Sequence, residues 1–396
     1  MRTLLNSLPG RSSLLAAVAV VAVAACSDRT ATGPRLVDGL RATPASRVAE
    51  LTCTGSVAGR TISCVLPASG ARGAIYGGQD VNVKLISSNA GYTPADSVFA
   101  FDVAVQNLLP EKIGTADGVN LAPEGIRVFF AAGPRVTSGT GSAYVANADG
   151  SAVFTAPAQP FFQYDTILAT GETTAARQWR LHVDPSVGTF SFTVYVSTSV
   201  QPLIVITEVM ANPGGTVQDS SGEYVEIYNA GRFDVNMVGM VLNDGSGAGI
   251  GAIDTIPADF IVPSGAYRVM GRTQNTSKNG GITVDYSYTH KVGGTATGLQ
   301  FSNSAADYFQ IRTQSGVAVD SVRFNNATIS AKAGVSRELT NPALDNADMD
   351  GASWAYALPN YEAANKGTPG AVNSTSTVPP AFSRTPAGAP AAALRR

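Results

Sequence analysis

Few residues in this chain could do chemistry, and their spacing limits what that chemistry could be. The 396 residues include two histidines, His182 and His290. A Ser–His–Asp hydrolase needs an imidazole beside a nucleophile on a strained elbow, and neither histidine lies in such a motif. Glu208, Glu223 and Glu226 invite comparison with paired catalytic carboxylates. General acid–base work needs two carboxyls in one cleft with separated pKa values. Glu223 and Glu226 are an odd number of positions apart, so on a strand they face opposite sides. The acidic run from Asp345 to Gly351 is the best metal candidate. Asn346, Asp348, Asp350 and Gly351 fit positions one, three, five and six of an EF-hand-like calcium loop, but Ala357 stands where the bidentate glutamate is required. A true EF-hand is thereby excluded. A looser calcium site using neighbouring loops stands against a plain solvated loop before Trp354. Gly77-Gly78, Gly214-Gly215, Gly280-Gly281 and Gly293-Gly294 read as turns. None precedes a Lys-Ser/Thr pair or opens a helix, so phosphate cradling is not expected. No catalytic set and no cofactor site emerge, calcium aside.

The three cysteines divide into a pair and a single. Cys53 and Cys64 bracket a segment that reads as a tight hairpin, with Gly55 and Gly59 available for its turn. Facing hairpin positions lie within bridging distance, so a Cys53–Cys64 disulfide is predicted. A loop this short contributes roughly 2–3 kcal/mol by the chain-entropy model. A zinc site is the rival, but no histidine is nearby and two thiolates do not close a zinc shell.

Cys26 belongs to a different pattern. Arg2 and Arg11 precede an apolar run from Leu14 to Ala25 that is too short to span a bilayer comfortably. The run ends in Val23-Ala24-Ala25-Cys26, which resembles the lipobox of bacterial lipoproteins. That resemblance implies acylation of the Cys26 thiol and a cut that leaves Cys26 as the new N-terminus. Several buried acyl chains, at ~0.8 kcal/mol per CH₂, hold a protein on a membrane durably. Ser27 rather than Asp follows the cysteine, which by the same resemblance implies the outer membrane. The expected location is therefore the bacterial cell envelope, with the membrane as a partner through the anchor at Cys26.

Charge narrows the partners further. Charged residues are 14% of the chain and the net charge is −2. The basic residues are scattered and form no stripe, so no nucleic-acid partner is expected. Hydrophobic residues at 44% suffice for ordinary cores.

The elements that must position these residues read as strands. Residues 1–25 form the leader, and 26–47, with Gly33-Pro34 and Pro44, a flexible tether. From 48 to 200, period-two runs recur: Thr61–Leu66, Val81–Ile86, Phe99–Val105, Ile126–Phe130, Ala152–Thr155, Trp179–Val183 and Thr189–Val196. Phe101, Val103 and Val105 should point inward. Gln201-Pro202 marks a boundary so short that the two units should have little freedom. Beyond it come Glu223–Tyr228, Met237–Leu242, Ala266–Met270, Tyr308–Arg312 and Val317–Phe324. No long stretch has helical periodicity. Residues 374–396, rich in Pro, Ala, Ser and Thr, should be disordered. The fold class is all-β: two tandem immunoglobulin-like β-sandwiches after a lipoprotein signal peptide.

Between Leu203 and Asn373 several motifs stand in a specific order. They are Ile206–Pro213, Gly222-Glu-Tyr-Val-Glu-Ile-Tyr-Asn229, Gly239–Asp244, Ile261–Met270, Leu299–Ser304, Ser336-Arg337 and Gly367-Thr-Pro-Gly-Ala-Val-Asn373. Together they resemble a lamin-tail domain over 203–373. The resemblance implies an immunoglobulin-like sandwich of the kind bacteria append to exported proteins. Alternation in the second motif makes Val225 and Ile227 core residues. Met240 stands where the family often has Trp, and Ser302-Asn-Ser304 with Asp307 lacks the family's glycine. Arg337 should pair with an acidic residue.

The functional expectation is a non-enzymatic, lipid-anchored envelope protein that acts as a binding or structural module toward an unknown envelope protein or polymer. The alternatives are a calcium-stabilised surface adhesin, or an accessory or remnant of a secreted nuclease or phosphoesterase.

Overall fold

A computed structural model describes residues 47–65, 81–245, 253–289, 291–292, 295–296, 299–325 and 332–377. The leader, Cys26, the tether before Arg47, His290 and residues 378–396 lie outside the described residues.

The first sandwich opens with the hairpin β1 (Arg47–Ser56) and β2 (Thr61–Val65), then β3 (Val83–Thr93) and β4 (Val98–Asn107). Next come β5 (Ile126–Gly139), β6 (Ala143–Val145), β7 (Gly150–Ala152) and β8 (Gln159–Tyr164). β9 (Arg177–Val183) and β10 (Val187–Thr198) complete it. One sheet has the order β2-β1-β10-β5-β8-β7 and the other β3-β4-β9-β6. Phe101, Val103 and Val105 point into the core as their spacing requires. Trp179 lies flat on Phe162, with ring centroids 4.5 Å apart. A buried indole N–H needs an acceptor. It donates to the Tyr164 hydroxyl at 3.2 Å, which donates to the Val103 carbonyl at 2.9 Å.

Cys53 and Cys64 face each other in the β1–β2 register and are joined by a disulfide. Gly55 has a different role from the one expected. It lies within β1 beneath Phe190, where a Cβ would come within 2.2 Å of the ring. The turn is made by residues 57–60, and Arg60 takes the left-handed conformation.

Two strand expectations also differ. The run expected over Ala152–Thr155 stops at Ala152, and Phe154 stacks on Phe129 at 4.7 Å. The strand Gln159–Tyr164 was masked in the sequence by Pro157 and Pro160. Pro160 is tolerated because it faces Ser151 of β7 beyond the stretch paired with β5.

The link between sandwiches is pinned on both sides. Val200 bridges to Ile113, and the Gln201 N–H donates to the Lys112 carbonyl at 2.9 Å. Phe233, from beyond the link, packs against the first core. Glu111 accepts the Arg232 N–H, and Ser315 donates to Asp117 at 2.9 Å.

In the second sandwich β11 (Ile204–Met210) is followed by a single helical turn, α1 (Asp219–Gly222), and β12 (Tyr224–Asn229). β13 (Val235–Asn236), β14 (Val241–Asp244), β15 (Ile253–Thr255) and β16 (Ile261–Val262) come next, then β17 (Tyr267–Gly271) and β18 (Tyr286–Ser287). A short pair, β19 (Lys291–Val292) and β20 (Thr295–Ala296), precedes β21 (Ala306–Arg312) and β22 (Ala318–Asn325). β23 (Arg337–Leu339), β24 (Trp354–Tyr356), β25 (Asn360–Glu362) and β26 (Asn365–Lys366) end the sequence of strands. The larger sheet has the order β18-β17-β12-β11-β23-β24, and the smaller β15-β14-β21-β22. Val225, Ile227, Met240, Phe309 and Val322 fill the space between them. The strand expected over Met237–Leu242 begins only at Val241, because Gly239 turns the chain at φ 79°. Both sandwiches are thus all-β, as expected.

Candidate functional site

Alternation on β12 sends Val225 and Ile227 inward and Tyr224, Glu226 and Tyr228 to the other face. An antiparallel sheet often leaves that second face wet. Here every residue of β12 is buried. Ile282, Val284 and Tyr361 pack over Tyr224, Tyr267 lies against Tyr228, and between them a strap running from Gly367 to Thr377 is held by three glutamates.

Glu208 on β11, Glu226 on β12 and Glu338 on β23 are all fully buried. Glu208 faces Glu226 on one side and Glu338 on the other in the strand register. Its Oε1 accepts the Tyr224 hydroxyl at 2.7 Å and the Thr368 N–H at 3.0 Å, and the Ser336 hydroxyl also donates to it. Glu226 accepts the Thr207 hydroxyl at 2.8 Å and the Gly370 N–H at 2.7 Å. Glu338 accepts the hydroxyls of Thr368 at 2.8 Å and Ser374 at 2.7 Å, and the Thr375 N–H at 3.0 Å. The Asn373 amide donates to the carbonyls of Thr207 and Leu339. The strap extends past the expected boundary at Asn373, since the Thr377 N–H bonds the Thr340 carbonyl at 2.9 Å.

A second trio works the same way on the segment after β20. The consecutive N–H groups of Gln300, Phe301 and Ser302 donate to Asp244, Glu223 and Asp307 at 2.7, 3.2 and 2.8 Å. Asp320 makes a third clasp, accepting the Ile206 N–H at 2.6 Å and the Asn346 amide at 2.7 Å. Backbone N–H groups buried outside a ladder must find acceptors, and carboxylates make the strong ones.

Burial has an electrostatic consequence. Desolvation disfavours the charged carboxylate. It lifts Glu208 to about 7, with the neighbouring Glu338 charge adding to the rise. Glu226 is pushed well up by burial and then by the Glu208 charge. Burial carries Glu223 to about 8, although Arg272, 3.1 Å away, pulls the other way. Asp307 and Asp320 are raised for the same reason.

The acids singled out in the sequence therefore do not converge on a cleft. Glu223 and Glu226 lie on opposite faces and hold different segments. Glu208 and Glu226 share a face, but it is closed over by the strap.

His182 binds Asp184 at 2.9 Å, and the Ser142 hydroxyl binds the other oxygen of that carboxylate at 3.0 Å. The carboxylate lies between hydroxyl and imidazole, so the imidazole is not positioned to activate that serine. Asn346 turns its amide inward to Asp320 and Ile206. Asp348 accepts the Asp350 N–H and lies 3.6 Å from Arg323, while Asp350 accepts the Asn325 N–H. This loop also pairs with the outer edge of β22: Arg323 donates to the Ala347 carbonyl and accepts from Met349. It covers a strand edge that would otherwise be open to pairing. Among the described residues no group of three or more His, Cys, Asp or Glu side chains is placed to hold a metal. Arg337 meets the Met349 carbonyl and the Tyr356 ring at 4.8 Å rather than the expected acid.

Glu338 and Thr368 were missed. Glu338 sits two residues after Ser336, so both share a strand face, and Gly367–Thr375 is rich in donors. Neither fact relates Glu338 to Thr368, 30 positions away, and only the fold brings them together.

Residues 197–326 match the lamin tail domain family. The match takes in β11 through β22 and ends before β23, β24 and the strap, which complete the same sheet. No curated protein and no solved structure matches the chain.

Proposed function

We propose that this chain is a non-enzymatic, lipid-anchored protein of the bacterial cell envelope, with two β-sandwiches acting as a binding or structural module. One observation carries the reading. The buried acids of the lamin-tail region, which would have to supply any acid–base chemistry there, point their oxygens at the chain's own N–H and hydroxyl groups. A carboxyl engaged in this way cannot also reach a substrate without unfolding its strap. The Val23-Ala-Ala-Cys26 junction supports the anchor, and its similarity to a lipobox supports the outer membrane. The pinned link between the sandwiches supports a rigid display in which loops at the sandwich ends meet an envelope protein or polymer.

Fractionation of cells expressing the full chain tests this reading, run beside Cys26→Ser. The wild type should sediment with outer membrane and carry acyl mass on its N-terminal peptide, and the variant should do neither. Equal partitioning of the two would overturn the anchor. Metal-dependent cleavage of a phosphodiester substrate by the purified protein would overturn the non-enzymatic reading.

A further inference from the structure

The junction between the sandwiches holds one buried carboxyl that is not a clasp of the kind described above. Glu208, Glu226 and Glu338 each accept hydrogen bonds on both oxygens. Glu111, from the first sandwich, is 2% exposed, and its Oε1 accepts the Arg232 N–H from the second. Its Oε2 is buried with no hydrogen-bond partner.

Both sides of this contact are fixed by their own sandwiches. The Asn107 amide donates to the Glu111 carbonyl at 2.8 Å. Across the junction, the Gly231 N–H donates to the Asn229 side chain at 2.9 Å, and the Gly231 carbonyl accepts the Ser264 hydroxyl at 2.7 Å. A Cβ at Gly231 would lie 2.6 Å from Glu111 Oε1, so the backbone can come this close only as glycine. Arg232 is the charged side chain that bears on Glu111, and its guanidinium reaches Asn82 at 3.5 Å. Lys112 is turned to the Gly118 carbonyl and Asp234 to the Ser264 N–H. Asn82, Asn107, Asn229 and Ser264 do not titrate.

A buried carboxylate with an unmet oxygen bears a desolvation cost that the neutral acid largely escapes. Burial accordingly raises Glu111 above its ordinary value of 4.5, against the pull of the Arg232 N–H and charge. Opening the contact would return the carboxylate to water. The hold exerted through Glu111 is therefore fully present below pH 4.5 and is lost as pH rises through the raised value. The other polar ties across the junction are few, among them Gln201 to Lys112 and Ser315 to Asp117, both at 2.9 Å. Interfaces of this kind between domains permit relative motion.

We propose that Glu111 is a pH-sensitive tie between the two sandwiches: the neutral carboxyl holds the junction closed, and the ionised one lets it open more often. The tie needs neither the membrane anchor nor an envelope ligand.

Amide exchange of the full-length protein from pH 4 to pH 8, corrected for intrinsic rates, tests it in wild type and Glu111→Gln. Native contacts open locally and reclose, so the strength of the tie is read without separating the sandwiches. Wild-type protection of the Arg232 and Gln201 amides should fall with pH, and severalfold more than that of the same amides in the variant. The Glu208 titration is present in both chains and cancels in the comparison. Glu111→Met, similar in size and uncharged, replaces glutamine if that variant does not fold. Wild-type protection that stays level with pH overturns the proposal without any variant, and equal slopes in wild type and variant overturn it too. So does a fall confined to Arg232 with Gln201 unchanged, which would make Glu111 a local contact with no hold on the junction.

Discussion

Replacing Glu208 with glutamine should flatten the pH dependence of the second sandwich. In the folded chain the Glu208 carboxyl titrates at about 7, raised first by burial, against an ordinary value of 4.5. The folded state therefore holds its proton more tightly than the unfolded state. Its contribution is fully present below pH 4.5 and is lost as pH rises through about 7. One pKa unit corresponds to about 1.36 kcal/mol. Integrated from pH 5 to pH 8, the wild type loses about 2–3 kcal/mol through this group. Glu226 is raised by burial and by the Glu208 charge, so neutralising Glu208 also eases Glu226 in the same direction. Glutamine keeps an acceptor for Tyr224, Ser336 and the Thr368 N–H, and its amide can donate to the Thr368 hydroxyl. At pH 5 the variant should lie within about 1 kcal/mol of wild type, and at pH 8 it should be the more stable. The assay is urea unfolding followed by Trp354 in a Trp179→Phe background, since the chain has two tryptophans. Stability curves for wild type and variant that run parallel from pH 5 to pH 8 would refute the reasoning.

Three further outcomes concern the first sandwich. Tyr164→Phe removes the hydroxyl that joins Trp179 to the Val103 carbonyl. Trp179-monitored unfolding should show a loss of about 1–3 kcal/mol from the unpaired groups. Cys53→Ser with Cys64→Ser opens the β1–β2 bridge and should lower stability by roughly 2–3 kcal/mol, while added reductant no longer changes the melt. Gly55→Ala places a methyl group against Phe190 and should cost about 1–3 kcal/mol by the same unfolding measurement.

How much was legible depended on whether a residue's role was local. Alternation placed Phe101, Val103, Val105, Val225 and Ile227 correctly, because period two fixes which side of a strand a residue faces. Cys53 and Cys64 were readable because a short hairpin brings its arms together. Gln159–Tyr164 was hidden because its prolines look like breakers, and only the sheet order shows that β5 does not reach Pro160. Gly55 was misread because a glycine in a short loop suggests a turn, whereas Phe190 across the sheet decides its role. The clasps lay furthest from view. Glu208 and Thr368 are 160 positions apart, and no periodicity relates them. The acidic loop from Asp345 to Gly351 resembled a metal loop by spacing alone, while its backbone pairing with Arg323 depends on the fold.

Native-state amide exchange tests the role of the buried carboxylates most directly. Gln300, Phe301, Ser302, Thr368, Gly370 and Thr375 lie outside the strands, yet each donates its N–H to a buried carboxylate. Their amides should exchange as slowly as those of β11 and β12, approaching the global opening of the second sandwich. Exchange of these six at the rate of exposed coil, with the flanking strands protected, would contradict the assignment of the carboxylates as structural clasps.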